Sequence, residues 1–296
     1  MRDAFSRAHP VVNFFYFFFT IAFTMFLMHP VMLLISFMGA AVYLRSVKGE
    51  KGFSRSLLAA LPLILLAAIM NPLFNHAGAT ILTYLPTGNP LTLESIIYGL
   101  AAGLMLAAAL LWFSCMNQVL TSDKFVYLFG RAIPSLSLVL SMSLRFVPLF
   151  GQQMKKVAQS QKQIGRDPSS GNLWQRARNG LNILSITVSW ALENAVDTSD
   201  SMTARGYGLK GRTSFSIYSW TKADKVNLGI MALHVGVILA TAFAGELKWY
   251  YFPILGGSGP NLLNLFAILN YIGLVTTPLR MKGEEERAWK RTQLKI

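Results

Sequence analysis

Apolar residues run along this chain in long uncharged blocks, not in alternation with polar ones. Ala8–Leu44, Ser56–Leu93, Ser95–Ser122, Val226–Gly245 and Trp249–Leu279 contain no Lys, Arg, Asp or Glu. A helix needs about 20 mainly apolar residues to cross a bilayer, so these blocks predict membrane spans. The first is too long for one span and breaks at Met28-His29-Pro30, where proline removes a backbone donor and disfavours helix in the residue before it. Six spans follow: Val11–Leu27, Val31–Leu44, Leu57–Leu73, Ile96–Met116, Val226–Ala244 and Leu262–Pro278. Between the third and fourth, Asn75–Pro90 is rich in Gly, Pro, Asn and Thr and reads as a loop. Arg2 and Arg7 resemble the basic start of a signal peptide, but no small-x-small cleavage pattern follows, so the first span is expected to be retained.

The stretch from Thr121 to Lys225 breaks this pattern. It is too long for a structureless connection. Ala132–Leu144 alternates Ser and Leu with the period of a strand. A lone strand at a membrane leaves its backbone edges unpaired, so a helix is expected there instead, its serines allowing close helix approach. Within Phe146–Gln163, Leu149, Phe150, Met154, Val157 and Ala158 separate from Gln152, Gln153, Lys155, Lys156, Gln159 and Lys162 at helical spacing. Gly165 and Pro168 stop that helix. A second one carries Leu173, Ala177, Leu181, Leu184, Val188, Ala191, Ala195 and Met202 at steps of three, four or seven, and ends at Ala204-Arg205-Gly206-Tyr207-Gly208. Such helices can lie on a membrane surface, or pack together and present their ends to a partner. The expected fold is all-α and polytopic, with about six transmembrane helices and two long cytoplasmic amphipathic helices. It divides into residues 1–120, 121–225 and 226–296.

Composition agrees with a membrane protein. The 296 residues are 53% hydrophobic and 14% charged, and the mean hydropathy is +0.44; a soluble domain carries about 25% charged residues. A single cysteine, Cys115, excludes an intrachain disulfide framework and a Cys-cluster metal site. The net charge of +14 changes the picture only through its placement. The N-terminal segment, the second connection, the insert and the C-terminal tail hold two, four, fourteen and six basic residues, and six spans put all four on one side. By the positive-inside rule that side is the cytoplasm, with both termini on it. The charge then serves topology and attraction to anionic lipid, and no nucleic-acid partner is implied.

Several stretches carry a family resemblance. They are His9-Pro10 with Asn13, Asn71-Pro72-Leu73-Phe74, Leu85-Pro86-Thr87-Gly88-Asn89-Pro90, Ser143-Leu144-Arg145-Phe146-Val147-Pro148 and Met202-Thr203-Ala204-Arg205-Gly206-Tyr207-Gly208. With them the chain resembles the transmembrane T component of energy-coupling-factor importers of vitamins and metal ions. The resemblance implies a non-catalytic subunit of the cell membrane that holds no cofactor of its own. Two cytoplasmic ABC ATPase subunits bind the ATP, and a small membrane-embedded S component binds the substrate. It also implies two coupling helices, each ending in a short motif with a central Arg that docks on an ATPase. Ala204, Arg205 and Gly206 fall on the second motif. At the first, Gln161-Lys162-Gln163-Ile164-Gly165 puts Ile164 where the family has Arg, and Gly165, Arg166 and Asp167 supply a nearby substitute. A guanidinium suits such docking because its fixed donors clamp carboxylates or helix-end carbonyls. The plainer alternative for Arg205 is a residue that only complements its helix dipole, and for Arg166 the two readings stand even.

Other chemistry is weaker. The sequence has no Gly-x-x-x-x-Gly-Lys-Ser/Thr loop, no His-Glu-x-x-His and no Gly-x-Ser-x-Gly. His9, His29 and His76 sit near span boundaries, where satisfied interfacial imidazoles are expected; His234 lies within a span and fits a helix–helix hydrogen bond. Glu193, Asp197 and Asp200 are expected on the wet face of the second long helix, and Glu284-Glu285-Glu286-Arg287 in a solvated tail. The rival readings, a membrane-embedded enzyme acting on lipid or peptide and a passive pore, find no intramembrane catalytic pair or ion-coupling carboxylate in the spans.

Overall fold

The computed structural model describes residues 4–84, 86, 88–130, 134–207, 209, 218–259 and 261–293. Arg2, Leu85, Thr87, Ala132, Ile133 and Gly208, which enter the sequence reading, lie outside the described residues. The chain forms two units, one of residues 1–121 with 218–296 and one of residues 122–217.

The uncharged blocks are helical because lipid offers no partner to a backbone N–H or C=O, and a helix pairs both internally. In the first unit a short α1 (Ala4–Arg7) precedes α2 (Pro10–Phe26). Proline is tolerated in the first turn, where its missing N–H would have no helical partner, and His9 Nδ1 accepts the Val11 N–H at 3.3 Å. The second and third expected spans lie in one 45-residue element, α3 (Pro30–Phe74), interrupted at Gly49, whose φ of +70° is not helical. Both arms pack on α4 (Leu93–Val119). In the first arm Trp112 Nε1 donates to Ser36 Oγ at 2.9 Å and Cys115 lies beside the Ala40 carbonyl. In the second arm Asn71 Nδ2 donates to the Ser95 carbonyl at 2.9 Å, and Ile64 and Ala67 abut Gly103 and Gly99. The first arm thus runs in the sense of α4 and the second against it. The chain reverses at Gly49, in the left-handed region open to glycine, so the expected connection after Leu44 is mostly helix.

Helices α8 (Lys222–Phe243) and α9 (Leu262–Gln293) complete this unit. Among the described residues four helices, α3, α4, α8 and α9, are long and apolar enough to cross a membrane, and α2 is a shorter apolar helix of 17 residues. At 1.5 Å per residue α2 is about 26 Å long, near the lower limit for a span. Helix α9 continues past Pro278, so the Glu284–Arg287 run is helical surface; Arg7 pairs with Glu285, and Arg280 with Glu284 at 3.5 Å.

The core of the unit is aromatic. Phe5, Tyr16, Phe17, Tyr43 and Trp112 are fully buried, with Phe5 edge-on to Tyr16 at 5.0 Å and Tyr16 edge-on to Trp112 at 5.8 Å. A buried hydroxyl network ties four helices together: Thr24 of α2 bonds Ser36 of α3 and, at 3.3 Å, Tyr271 of α9, while Ser36 also accepts from Trp112 of α4. Such bonds hold helices where lipid removes the hydrophobic drive. His234 Nδ1 bonds Asn270 Oδ1 at 2.9 Å between α8 and α9, the helix–helix contact expected of it. At the start of α8, Asp224 accepts from the Thr221 N–H and hydroxyl and from the His9 N–H at 3.2 Å, while Trp220 stacks on the His9 ring at 3.9 Å.

The expected loop Asn75–Pro90 contains a strand. β1 (Ile81–Tyr84) pairs antiparallel with β2 (Pro90–Thr92), because Ile81-Leu82-Thr83-Tyr84 favours extended backbone and Gly88, at φ +84°, permits the turn. A second hairpin, β3 (Trp249–Tyr250) with β4 (Gly256–Gly257), lies between α8 and α9.

In the second unit α5 (Ser122–Gly130) precedes α6 (Pro134–Gln163) and α7 (Leu173–Ala204). The Ser/Leu alternation is helical throughout its described part and belongs to the same helix as Phe146–Gln163. Pro148 therefore lies inside α6. Helix α7 is capped by Asn172, which forms a capping box with Gln175.

Candidate functional site

The predicted site residues lie at the C-terminal ends of α6 and α7, and the two ends are built alike. At the end of α6 the Arg166 N–H donates to the Gln161 carbonyl at 2.9 Å and the Gly165 N–H to the Lys162 carbonyl at 3.1 Å, with Gly165 at φ +78°. At the end of α7 the Tyr207 N–H donates to the Met202 carbonyl at 3.1 Å and the Gly206 N–H to the Thr203 carbonyl at 3.0 Å, with Gly206 at φ +74°. Each is a Schellman cap, in which a left-handed glycine lets the chain turn back and satisfy carbonyls that the helix leaves open. In this register Gly165 matches Gly206, and the residue before the glycine is Ile164 in one cap and Arg205 in the other. Arg166 is one residue beyond the glycine, the place of Tyr207.

The surroundings differ. Around the first corner Asp167 accepts from the Ser169 hydroxyl at 2.7 Å and the Ser169 N–H at 2.9 Å, and lies 3.3 Å from Lys162 Nζ. These Ser169 bonds, and then Lys162, hold the Asp167 carboxyl below the usual carboxylate range. From α7, Asn179 donates to the Asp167 carbonyl at 3.2 Å and Arg176 to the Pro168 carbonyl at 3.2 Å. The corner is thus a stitched loop with an exposed Arg166 and an exposed Ile164. Sequence reasoning missed this stitching, although Asp-Pro-Ser carries the signal of a side chain bonding the backbone two residues on.

The second corner is apolar behind and charged in front. Met202 and Tyr207 line a groove of about 470 Å³ with Leu138, Met142 and Phe146 of α6. Ala204 and Arg205 are exposed, and the Arg205 guanidinium has no ion pair among the described residues. The two helices pack through Phe150 and Trp190, edge-on at 5.9 Å, and α7, at about 48 Å, separates the two corners. Glu193, Asp197 and Asp200 are exposed, as the wet face requires. The predicted apolar stripe is not the packed one: Ile183 and Thr187 are buried, while Leu181, Leu184, Val188 and Leu192 form an uncovered ridge. Among the described residues no three His, Cys, Asp or Glu side chains converge as a metal site would require.

Residues 2–215, a stretch that takes in both corners, match the cobalt transport protein family, CbiQ. The chain belongs to this family. It is also similar to proteins named energy-coupling factor transporter transmembrane protein EcfT. The one from Lactobacillus helveticus is 35% identical over 117 residues, 39% of this chain and 42% of that protein. The one from Bacillus selenitireducens is 27% identical over 200 residues, 62% of this chain and 72% of its own. EcfT 1 of Listeria monocytogenes is 29% identical over 197 residues, 61% and 72%. The chain thus spans from about two fifths to about seven tenths of the length of these relatives. Each is named as a transporter component, and the reading as a membrane-embedded enzyme finds no support among them.

Proposed function

We propose that this chain is the transmembrane energy-coupling subunit of an ATP-driven importer of vitamins or metal ions. In this reading two cytoplasmic ATPases bind and hydrolyse ATP and seat the corners at Gly165–Asp167 and Ala204–Gly206. The helices α6 and α7 carry their movement, and a small membrane-embedded receptor brings the substrate. Both termini and the segment 121–225 lie in the cytoplasm of the cell membrane.

The observation that carries the proposal is the shared cap. Two long helices end in the same hydrogen-bonded turn, so each presents a rigid tip whose exposed residue before the glycine faces a partner without competing for the helix's own carbonyls. Rigid helices transmit displacement that a loop would absorb. The uncovered ridge of Leu181, Leu184, Val188 and Leu192 supports a further apolar contact, with receptor or bilayer.

The test is transport. Arg205→Glu abolishes ATP-dependent uptake in cells while the protein stays in the membrane at normal abundance. Uptake at the unaltered rate would remove Arg205 from the mechanism, and protease cleavage of residues 124–225 from outside the cell would overturn the proposal.

A further inference from the structure

Two donors on one face of α7 hold the first corner. Arg176 and Asn179 are three residues apart and so share a side of the helix. Arg176 Nε donates to the Pro168 carbonyl and Asn179 Nδ2 to the Asp167 carbonyl, each at 3.2 Å. These carbonyls are consecutive, so one turn of α7 grips the corner at two adjacent points of its backbone. The grip is continued on either side. Asp167 pairs with Lys162 of α6, and Asn172 Oδ1 accepts the Leu173 N–H at 2.8 Å where α7 starts. Pro168, with its fixed φ, stiffens the segment between.

No local rule places Asn179. It lies in the second turn of α7, beyond the position where asparagine caps a helix, and inside a helix its side chain competes with the backbone. The bond to the corner explains it. Asp167, Pro168 and Asn179 are half-buried, whereas Ile164, Gly165 and Arg166 are exposed. The tip thus projects from a fastened base.

The two long helices also differ in stiffness. Helix α6 contains Pro148, which removes a helical hydrogen bond, and Gly151, where a Cβ would meet nothing within 4 Å. Helix α7 contains no proline, and its one glycine, Gly180, adjoins Asn179. A displacement entering the first corner therefore meets a compliant route through α6 and a stiff one through α7.

We infer that Arg176 and Asn179 are positioning residues that lock the first corner onto α7, so that α7 alone is a strut with a docking tip at each end. The inference rests on the proposed function, in which both tips seat ATPases, and adds a path to it. Movement of either ATPase reaches the other along α7, while α6 bends at Pro148 and Gly151 to follow.

The test reads distances by double electron–electron resonance in the full chain in detergent. Spin labels go on Gln163→Cys, at the end of α6, and Val196→Cys, on α7; both positions are exposed, and Cys115, fully buried, stays unlabelled. A pair at Leu181→Cys and Val196→Cys, both within α7, is the folding control. The chain gives one narrow distance between positions 163 and 196. It is the same in the free chain and with the purified ATPase pair, without nucleotide or trapped with ADP and vanadate. Arg176→Gln combined with Asn179→Leu loses that single distance. The distribution spreads in the free chain and separates between the two nucleotide states, because the tip then follows its ATPase without α7, and the control pair does not move. If the control pair does move, Asn179→Leu alone, which favours the helix, carries the same reading.

A distribution that stays single and narrow in the variants overturns the lock. A distance that shifts with nucleotide in the unaltered chain overturns the strut. Spreading in the free variant with no response to nucleotide leaves Arg176 and Asn179 a structural role only, and overturns the inference equally. Failure of the ATPase pair to bind the unaltered chain is a different result. It sinks the proposed function, and the free-chain spectra still decide the lock.

Discussion

Ile164 and Arg205 occupy the same position in two matching helix caps, each directly before a left-handed glycine, Gly165 at φ +78° and Gly206 at φ +74°. The backbone of the two tips is therefore equivalent and the side chain presented is not. One tip offers an exposed apolar residue and the other an exposed guanidinium. Under the proposed function, two tips that differ this much would meet two ATPase subunits that are not seated identically.

If the proposed function holds, binding of the proposed ATPase pair should depend on Arg205 more than on Arg166. Arg205→Ala is expected to weaken co-purified complex about 10–100-fold, the loss of one charge-assisted hydrogen bond. Arg166→Ala should weaken it less, and Ile164→Arg should strengthen the first contact. Titration of the detergent-solubilised chain with purified ATPases checks the order, and an Arg166 effect equal to that of Arg205 would show that the cap register does not decide docking.

The two cap glycines should respond differently to alanine. At Gly165 a Cβ meets nothing within 4 Å, whereas at Gly206 it comes within 3.0 Å of Leu209 Cδ1. Both substitutions carry the left-handed backbone cost of about 1–2 kcal/mol, and Gly206→Ala adds a contact that Leu209 must yield. Amide hydrogen exchange at Tyr207 should accelerate more in Gly206→Ala than exchange at Arg166 does in Gly165→Ala.

The first corner should be intact near neutrality and open only in acid. Asp167 is depressed in the folded chain by Ser169 and then Lys162. The stabilisation is therefore fully present above the ordinary aspartate value of about 3.9 and is lost as pH falls through the depressed one. Ser169→Ala should move the Asp167 titration up towards that ordinary value, read by carbon NMR of labelled aspartate; an unmoved titration would remove the Ser169 bonds as its cause.

Helix α4 should not tolerate bulk where it meets the second arm of α3. A Cβ on Gly103 falls 2.9 Å from the Ile64 Cα and carbonyl oxygen, and one on Gly99 falls 2.8 Å from the Ala67 carbonyl oxygen. These neighbours are backbone and cannot step aside, so Gly103→Val should destabilise by about 1–3 kcal/mol or more. Gly229→Val, on α8 with nothing within 4 Å, is the control. Thermal unfolding in detergent compares the two.

Asp224→Ala should loosen the junction of α2 and α8. It removes the acceptor for the Thr221 N–H and hydroxyl and for the His9 N–H, together worth about 2–4 kcal/mol from a lost capping box and an unsatisfied buried donor. A melting temperature equal to that of the unaltered chain would show that Trp220 stacking alone holds His9.

Much of this protein was legible along the chain. The uncharged blocks Ala8–Leu44 and Ser95–Ser122 predict helices because lipid leaves the backbone no other way to pair. Gly165 and Gly206 stop α6 and α7 because a left-handed residue ends a helix wherever it stands. These are local effects, and residues within a few positions of one another carry them. What the chain could not reveal is long-range. Period-two Ser/Leu spacing does not tell that α6 runs unbroken through Pro148, and the stripe Leu181-Leu184-Val188 does not tell which face of α7 will be covered, because Phe150 and Trp190 decide that by packing. The reversal of α3 at Gly49 needs α4 beside both arms. His234 and Asn270, 36 residues apart, meet only once α8 and α9 are packed together. The sequence by itself determined the helices, their ends and their affinity for lipid, since these follow from backbone pairing and nearby side chains. The tertiary structure alone decided which faces meet and which polar atoms are left over, since those depend on distances between residues that no local rule connects.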